Sequence, residues 1–222
     1  MLTKSQRELR ANYIKYLNAT ERIDKDMIKD CVIHYIKPEV DYTDKVCLDL
    51  GGNVGGFTKL AIDHGAKQVI TVECDVRNYT KLSESFAEEP KAKILHAAVS
   101  GSDEKTIKIY KGTRGGSHCS TSIMKRSTFH DYDEVQNLHI QELLDTYKPD
   151  IIKIDVEGAE YQILEYIEAY YPEVIFIELH MGKVKEHAQP AIERLTNLYP
   201  INEVKSFVVF KEIGGYDCWF KK

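Results

Sequence analysis

The sequence has few prolines, no long apolar run and no closely spaced cysteines. Its five cysteines are odd in number and widely scattered, which argues against a zinc ribbon or a disulfide framework and for reduced thiols. The longest apolar runs, Val174–Ile177 and Phe207–Phe210, have the length of a strand and are too short to span a membrane. The first residues show no signal-peptide pattern. We therefore expect a cytoplasmic protein with no membrane partner.

Signatures of several enzyme classes are also missing. There is no Gly-x-x-x-x-Gly-Lys-Ser/Thr phosphate loop, no Gly-x-Ser-x-Gly elbow and no His-Glu-x-x-His pair. These absences argue against phosphate-loop hydrolysis, α/β-hydrolase chemistry and zinc proteolysis of the common type. With 222 residues, 43% of them hydrophobic and 29% charged, the chain has the size and composition of one globular domain.

Acidic residues outnumber basic ones, and the net charge of −5 does not suit a general nucleic-acid binder. The stretch from Lys105 to Arg126 departs from this balance, because it contains basic residues and no acid. A solvated face is the simpler explanation of such a run, and a surface for a polyanion is the alternative. The basic residues are Lys105, Lys108, Lys111, Arg114, Lys125 and Arg126.

Short apolar segments alternate with amphipathic segments along most of the chain. This pattern predicts an α/β fold with a mostly parallel, seven-stranded sheet and helices on both faces. Segments 204–211 and 216–221 predict a C-terminal antiparallel hairpin. The other main strands are expected near 46–50, 68–73, 93–98, 150–155 and 173–179, and the helices between and after them near 56–64, 77–87, 158–171 and 189–198.

The first 36 residues predict two amphipathic helices, and Pro38 ends the second. We therefore expect a helical extension (residues 1–40) followed by a Rossmann-like domain (residues 41–222).

An irregular region separates the third and fourth expected strands. The sequence there predicts strand-like segments at 105–111 and 135–139 around a loop at 112–127, and then a short helix near 140–147. A loop of this length inside a compact domain is usually functional or disordered.

The most informative segment is Val46–Phe57, where an apolar strand ends in an acid and a glycine-rich turn leads into a helix. This order forms nucleotide sites at the carboxyl edge of α/β sheets. The dinucleotide pattern Gly-x-Gly-x-x-Gly fails, because Asn53 occupies its second glycine position. An acid at the strand end instead suits a cofactor with positive charge and no pyrophosphate, and S-adenosylmethionine fits that description. The expected loop contacts are Asp49, Gly51, Gly52, Asn53 and Gly55.

Residues after the second and third strands complete the expected cofactor site. Glu73 ends the second strand at the distance from the glycine loop that is typical of an acid binding ribose hydroxyls. A surface acid is the alternative, and the preceding loop disfavours it. Cys74 follows Glu73 directly, and the small residues Ala97 and Ala98 would leave room for an adenine ring.

Polar residues also lie at the ends of two neighbouring strands. Lys153, Asp155 and Glu157 alternate with apolar residues, and burying such charges is costly unless they are paired or work at a site. The next strand ends in Glu178 and His180, two residues apart on one face. Because adjacent parallel strands end at the same edge of a sheet, we expect these groups to face one crevice.

The segments Leu48–Gly55, Lys153–Glu160 and Ile177–His180 resemble the FkbM family of methyltransferases, and a looser similarity covers about residues 45–181. The Lys153–Glu160 string is the most specific part. The resemblance implies a Rossmann-like class I methyltransferase fold, S-adenosylmethionine as donor and, usually, O-methylation of sugars, glycans or polyketide hydroxyls. The Asn/Asp-Pro-Pro-aromatic string of amino-methylating nucleic-acid enzymes of this fold is absent, which favours a hydroxyl acceptor.

A hydroxyl acceptor must be aligned with the methyl group and must lose a proton. We expect His180 or Asp155 to accept the proton, Glu178 to orient the histidine and Lys153 to balance the carboxylates. In a variant of this mechanism, Asp155, Glu178 and His180 hold a divalent cation that lowers the pKa of the hydroxyl. Such mixed residue sets are equally common without a metal, and we favour the metal-free mechanism.

Three functions therefore compete. The first is an O-methyltransferase that acts on a sugar, a glycan or another small hydroxylated molecule. The second is a methyltransferase that binds a nucleic acid or a phosphorylated acceptor through Lys105–Arg126. The third is a non-catalytic cofactor-binding module whose N-terminal helices serve a partner, and the full set of polar residues at the strand ends argues against it. The sequence determines neither the acceptor nor the oligomeric state.

Overall fold

The computed structural model describes residues 2–111, 121–122, 131–180, 185–210 and 213–222. The described helices are α1 (Lys4–Tyr16), α2 (Arg22–His34), α3 (Gly56–Asp63), α4 (Val76–Ser85), α5 (Ile140–Tyr147), α6 (Glu160–Tyr170) and α7 (Lys185–Leu198). The described strands are β1 (Val46–Leu50), β2 (Gln68–Glu73), β3 (Ala92–His96), β4 (Ala98–Ser100), β5 (Thr106–Lys111), β6 (Thr121–Ser122), β7 (Asp131–His139), β8 (Ile151–Ile154), β9 (Val174–His180), β10 (Ile201–Phe210) and β11 (Ile213–Lys221).

The main sheet has seven strands in the order β10-β11-β9-β8-β1-β2-β3. Strands β3, β2, β1, β8 and β9 run parallel, whereas β11 is antiparallel to both β9 and β10. The predicted seven-stranded sheet with its C-terminal antiparallel hairpin is confirmed. The chain first extends the sheet on one side of β1 through β2 and β3 and later adds β8 on the other side. A crevice is therefore expected at the carboxyl ends of β1 and β8.

Side chains of the central strands alternate between two apolar cores on the two faces of the sheet. Leu48 and Ile152 belong to the core that α5, α6 and α7 cover. Cys47 and Ile151, their neighbours in sequence, belong to the core that α1 to α4 cover. Helices on both faces are thus confirmed, and the continuous apolar character of these strands follows from burial on both sides.

The N-terminal helices are packed onto one of these cores. Tyr13 and Leu17 of α1 and Ile28 and Val32 of α2 are almost fully buried, in the same cluster as Phe57 of α3. Full burial of a side chain of this size contributes about 1.5–3 kcal/mol. The predicted division between residues 1–40 and 41–222 stays a prediction, since the helices share a core with the sheet.

A second sheet, which the sequence analysis did not predict, has the strand order β4-β7-β5-β6. The expected strand 93–98 was wrong at its end, because β3 stops at His96 and the chain joins β7 from Ala98 onward. Ser100 stabilises this change of sheet by donating a hydrogen bond to buried Asn137 (3.0 Å). Of the predicted loop 112–127, only Thr121 and Ser122 lie within the described residues.

The strand expected at 150–155 is shorter than predicted. Strand β8 ends at Ile154, although the amide of Asp155 still donates to the carbonyl of Leu50 (3.0 Å). The chain then turns, because Glu157 (φ 53°) and Gly158 (φ 125°) have positive φ angles. The expected alternation of Lys153, Asp155 and Glu157 on one strand was therefore wrong beyond Ile154.

Among the described helices, none combines the length and the apolar character that a membrane span requires.

Candidate active site

A cavity of about 600 Å³ lies at the carboxyl ends of the central strands. This volume is in the range of small-molecule sites. Most of the predicted site residues line the cavity, whereas Asp49, Gly55 and His180 are not among its lining residues. The lining residues that the sequence predicted are Gly51, Gly52, Asn53, Glu73, Cys74, Ala97, Ala98, Lys153, Asp155, Glu157 and Glu178.

The glycine loop after β1 lies against the neighbouring strands. Gly51 has a φ of +81°, and a Cβ atom there would lie 1.8 Å from the carbonyl oxygen of Asp155. A Cβ atom on Gly52 would lie 2.2 Å from Thr71 Cγ2. The amides of both glycines donate to the carbonyl of Val72 (2.9 and 3.0 Å). The loop therefore needs glycine at both positions, and its backbone forms the wall of the cavity.

Glu73 connects this loop to the turn after β2. Its carboxylate accepts hydrogen bonds from the amides of Asn53 and Asp75, both at 2.7 Å. Burial raises the pKa of Glu73 to about 7, although these two hydrogen bonds act in the opposite direction. Each carboxylate oxygen has a second lone pair, so Glu73 retains acceptor capacity toward the cavity.

Asp49 and Lys153 form a buried ion pair next to the glycine loop. Asp49 is fully buried, accepts a hydrogen bond from Thr58 (2.9 Å) and lies 3.3 Å from Lys153 Nζ. Lys153 also donates to the carbonyl of Gly51. Burial opposes the charged form of Lys153, but the attraction of Asp49 and Asp155 outweighs it and raises the pKa of Lys153. The pair therefore fixes the loop that the cavity needs.

Small and apolar residues close the side of the cavity nearest to β3 and β4. Cys74, Ala97, Ala98 and Val99 line this side together with Ile109 of the second sheet. The amide of Ala97 donates to the carbonyl of Glu73 (3.1 Å), which holds the chain close to the end of β2. This side offers an apolar surface near Glu73, and Ile109 was not expected from the sequence.

Asp155 and Glu178 bring two further carboxylates to the wall of the cavity. One ligand atom from each of them and one from His180 lie within 4.8 Å of one another. Burial, reinforced by repulsion from Asp155, raises the pKa of Glu178, and His180 offsets this only in part. Lys153 Nζ lies 3.7 Å from Asp155.

His180 is surrounded by three carboxylates. Its Nδ1 atom lies 2.8 Å from Glu160, and its Nε2 atom lies 3.2 Å from Glu178 and 3.4 Å from Glu157. Burial disfavours the charged ring, but the hydrogen bonds to Glu160 and Glu178 outweigh burial and raise the pKa of His180 well above its ordinary value. A protonated ring donates from both nitrogens, so His180 is a cation that holds these acids in place.

Glu160 is a functional candidate that the sequence analysis did not assign. It is fully buried, and its carboxylate accepts hydrogen bonds from the amide of Gly158 (2.9 and 3.0 Å) as well as from His180. Its position in the Lys153–Glu160 string was visible, but its contact with His180 depends on the pairing of β8 with β9.

The last part of the wall comes from α2 and β11, which the sequence analysis did not connect with the site. Met27, Asp30 and His34 of α2 and Asp217 of β11 line the cavity. His34 Nδ1 lies 3.3 Å from Asp217. The hydrogen bond to Asp217 raises the pKa of His34, and burial opposes this shift. Only the fold brings these two distant segments together.

The basic stretch 105–126 has acids beside it in space. Strand β5 pairs with β7, and this places Glu134 opposite Lys108 and Asp131 opposite Lys111. Thr106 donates a hydrogen bond to Glu134 (2.7 Å). The described part of the stretch is therefore less positive than the sequence alone indicates.

The parallel sheet, the glycine loop after β1 and the acid that ends β2 define the Rossmann-like class I methyltransferase fold. A sequence model described as the methyltransferase FkbM domain matches residues 49–204. The chain belongs to this family, and the predicted resemblance is confirmed. A comparison with curated proteins gave no match.

Solved structures with the same fold are distant in sequence. A protein described as "putative RNA methyltransferase PH1948 from Pyrococcus horikoshii" has 16% identity and a TM-score of 0.51, and the alignment covers 100% of this chain and 99% of that chain. Spermidine synthase from Thermotoga maritima has 18% identity and a TM-score of 0.50, with 87% and 60% covered. At these identities, the similarity establishes the fold alone.

Proposed function

We propose that the protein is an S-adenosylmethionine-dependent methyltransferase that acts on a hydroxyl group of a sugar, a glycan or another small molecule. The observation that carries the proposal is one cavity that the glycine loop and Glu73 line together with Asp155 and Glu178. We call the glycine loop with Glu73 the cofactor end, and Asp155 with Glu178 the acceptor end. S-adenosylmethionine supplies a methyl group that is already activated by its sulfonium. The chain must therefore bind it, orient the acceptor and remove a proton.

The residues of the loop end fit this cofactor. The backbone of Gly51 and Gly52 leaves space that a side chain would fill, and Glu73 offers a carboxylate suited to two ribose hydroxyls. The apolar side formed by Ala97 and Ala98 suits an adenine ring. The residues that would hold the cofactor are Gly51, Gly52, Asn53, Glu73, Cys74, Ala97, Ala98 and Asp155, while Asp49 and Gly55 shape the loop from behind.

Asp155 and Glu178 are the best candidates to accept the proton. Both line the cavity, and burial together with repulsion from Asp155 raises the pKa of Glu178, which makes this carboxylate the more basic. His180 was also a candidate base, but a protonated ring bound by three acids has no free nitrogen to accept a proton. We therefore assign His180 and Lys153 to the support of this pair.

Two measurements test the proposal. Calorimetry with S-adenosylhomocysteine should show binding, and incubation with methyl-labelled S-adenosylmethionine and a cell extract should label a hydroxylated product. Asp155→Asn and Glu178→Gln should each lower the rate of labelling roughly 10²- to 10⁴-fold, the usual contribution of a general base, and Glu178→Gln should leave the affinity for S-adenosylhomocysteine within about threefold. Exposed Glu88 provides the control variant, Glu88→Gln. A chain that ignores S-adenosylhomocysteine would contradict the proposal.

The nucleic-acid alternative rests on the stretch 105–126, and the acids opposite Lys108 and Lys111 weaken it. If RNA or DNA were the acceptor, binding at low salt should be measurable and should fall steeply as salt increases. We expect no such binding.

A further inference from the structure

Asn78, in the first turn of α4, is a polar residue of the cavity wall that is almost fully buried. It is 5% exposed and lines the cavity together with Glu73 and Cys74. A side-chain amide has an oxygen that accepts hydrogen bonds and a nitrogen that donates them, and a buried donor without a partner costs free energy. The partners of Asn78 therefore indicate what this part of the cavity can bind.

The oxygen of this amide is already engaged. Arg77 Nη1 donates a hydrogen bond to Asn78 Oδ1 (2.7 Å). Because a guanidinium only donates, the atom that faces it must be the oxygen, and this fixes the orientation of the amide. Among the residues that the structure describes, none accepts a hydrogen bond from the nitrogen, Nδ2. Asn78 thus keeps a donor for a ligand in the cavity.

Ion pairs with the start of α2 hold Arg77 in place. Arg77 Nη2 lies 2.6 Å from Glu21 and 3.1 Å from Asp24, which is 1% exposed. One nitrogen of the guanidinium is therefore bound to these acids and another to Asn78. A planar group that is held at two points leaves the Asn78 amide little freedom to rotate. Arg77 is thus a positioning residue for Asn78.

Asn78 is connected to Glu73 through the turn between β2 and α4. Glu73 accepts a hydrogen bond from the amide of Asp75 (2.7 Å), and the Asp75 side chain accepts one from the backbone amide of Asn78 (3.2 Å). A carboxylate that only accepts and a side-chain amide that can donate therefore line the same cavity from one turn. A ribose hydroxyl complements both, because it donates one proton and retains lone pairs that accept.

We propose that Asn78 donates a hydrogen bond to one of the two ribose hydroxyls of S-adenosylmethionine, and that Glu73 accepts the proton of the same hydroxyl. The proposal rests on the proposed function and deepens it, since Asn78 then selects a cofactor that carries this hydroxyl. Glu21 and Asp24 lie outside the family match at residues 49–204. Through Arg77 they contribute to the affinity for the cofactor.

Calorimetry with three ligands tests this contact without an acceptor. The ligands are S-adenosylhomocysteine and its 2′-deoxy and 3′-deoxy analogues, measured at pH 8, above the pKa of about 7 that burial gives Glu73. Asn78→Asp removes the donor and retains an oxygen for Arg77, and Asn78→Leu removes both. Each variant should bind S-adenosylhomocysteine about tenfold more weakly than the wild type does.

The deoxy analogues locate the contact. For one of them, the loss of affinity relative to S-adenosylhomocysteine should be about tenfold smaller in the Asn78 variants than in the wild type, because the hydrogen bond is already missing. For the other analogue, this loss should be the same in all proteins. Arg77→Lys keeps the charge but not the planar fork, and it should weaken binding of S-adenosylhomocysteine to a smaller extent.

Asn197→Asp, at an exposed position of α7, is the matched control and should bind all three ligands as the wild type does. Thermal unfolding shows whether each variant folds, and Asn78→Asp decides if Asn78→Leu does not. Unchanged affinity in the folded Asn78 variants would overturn the proposal. An unchanged loss for both analogues would also overturn it, because Asn78 would then contact another part of the cofactor. A wild type that binds none of the ligands would overturn the proposed function as well.

Discussion

The cofactor end of the cavity is made largely of backbone, whereas the acceptor end is made of charged side chains. Gly51 and Gly52 form the first wall, and Glu73 there accepts hydrogen bonds from backbone amides. Asp155 and Glu178 form the second wall, and their neighbours are other charged groups. One end therefore depends on the shape of the chain and the other on its charges.

This difference means that the two ends are constrained in different ways. Where the backbone itself forms the wall, a side chain would fill the space for the ligand. The backbone geometry therefore requires glycine at these positions. Where side chains form the wall, a single substitution can change which acceptor the cavity binds. The two ends should thus respond to different variants, and each of the following experiments tests that separation.

The largest effect is expected from Gly51→Ala. Its Cβ atom would lie 1.8 Å from the Asp155 carbonyl oxygen in a left-handed conformation, so the loop must move. Binding of S-adenosylhomocysteine should fall below detection in calorimetry. Gly65→Ala is the matched control, because Gly65 has a φ of +96° but its nearest neighbour, Thr43, would be 3.4 Å away. Equal loss of binding in both variants would refute the steric explanation.

The second effect concerns His180, which contacts both Glu178 of the acceptor end and the fully buried Glu160. His180→Gln leaves the fully buried Glu160 without its cation, and breaking a buried pair costs about 3–5 kcal/mol. Denaturant titration should show this loss in the free energy of unfolding, and exposed His187→Gln should not. A variant of normal stability without activity would instead return His180 to the role of base.

The same ion pairs predict a pH dependence of stability. The pKa of His180 is raised in the folded state, so the stabilisation is complete below the unfolded value of about 6.5. It is lost as the pH rises through the folded value. The free energy of unfolding should therefore decrease on the alkaline side of neutrality in the wild type, and this decrease should be smaller in His180→Gln.

A third effect, about tenfold, is expected for Glu73. With a pKa of about 7, this carboxyl group is mostly protonated at pH 6 and mostly ionised at pH 8. If the ionised form accepts the ribose hydroxyls, the affinity for S-adenosylhomocysteine should rise roughly tenfold between these pH values. Glu73→Gln should remove the dependence, whereas Glu178→Gln should retain it. A pH dependence that disappears with Glu178→Gln instead would mean that the two ends are not separate.

The sequence predicted the cofactor end better than the acceptor end, and the reason is physical. A glycine turn after an apolar strand is a local pattern, so the loop and Glu73 could be assigned from neighbouring residues. The acceptor end depends on distant pairings, since α2 is placed by burial of Ile28 and Val32 beside α3 and by the contacts of Asp24 with α4. Asp217 lies beside Glu178 only because β11 pairs with β9.

The main errors in the fold have the same origin. An apolar run such as 93–98 does not show that the chain leaves one sheet for another at Ala98. This change depends on pairing with β7 and on the hydrogen bond from Ser100 to Asn137, which lies nearly forty residues later. The end of β8 at Ile154 depends on a positive φ at Glu157, a residue type that gives no local signal for it. His180 was correctly placed at a strand end, but its charge depends on Glu160, which only the folded chain brings close.

The smallest effect is expected from metal removal. This experiment tests whether the acceptor end works with or without a metal ion. Asp155, Glu178 and His180 are close enough to hold a divalent cation. However, the proton on His180 already balances the surrounding acids, and a metal would have to displace it from Nε2. Methyl transfer should therefore be unchanged by EDTA and by added Mg²⁺ or Mn²⁺. Loss of activity in EDTA that Mg²⁺ restores would instead make these three residues metal ligands, and the acceptor end would then work by Lewis-acid rather than proton chemistry.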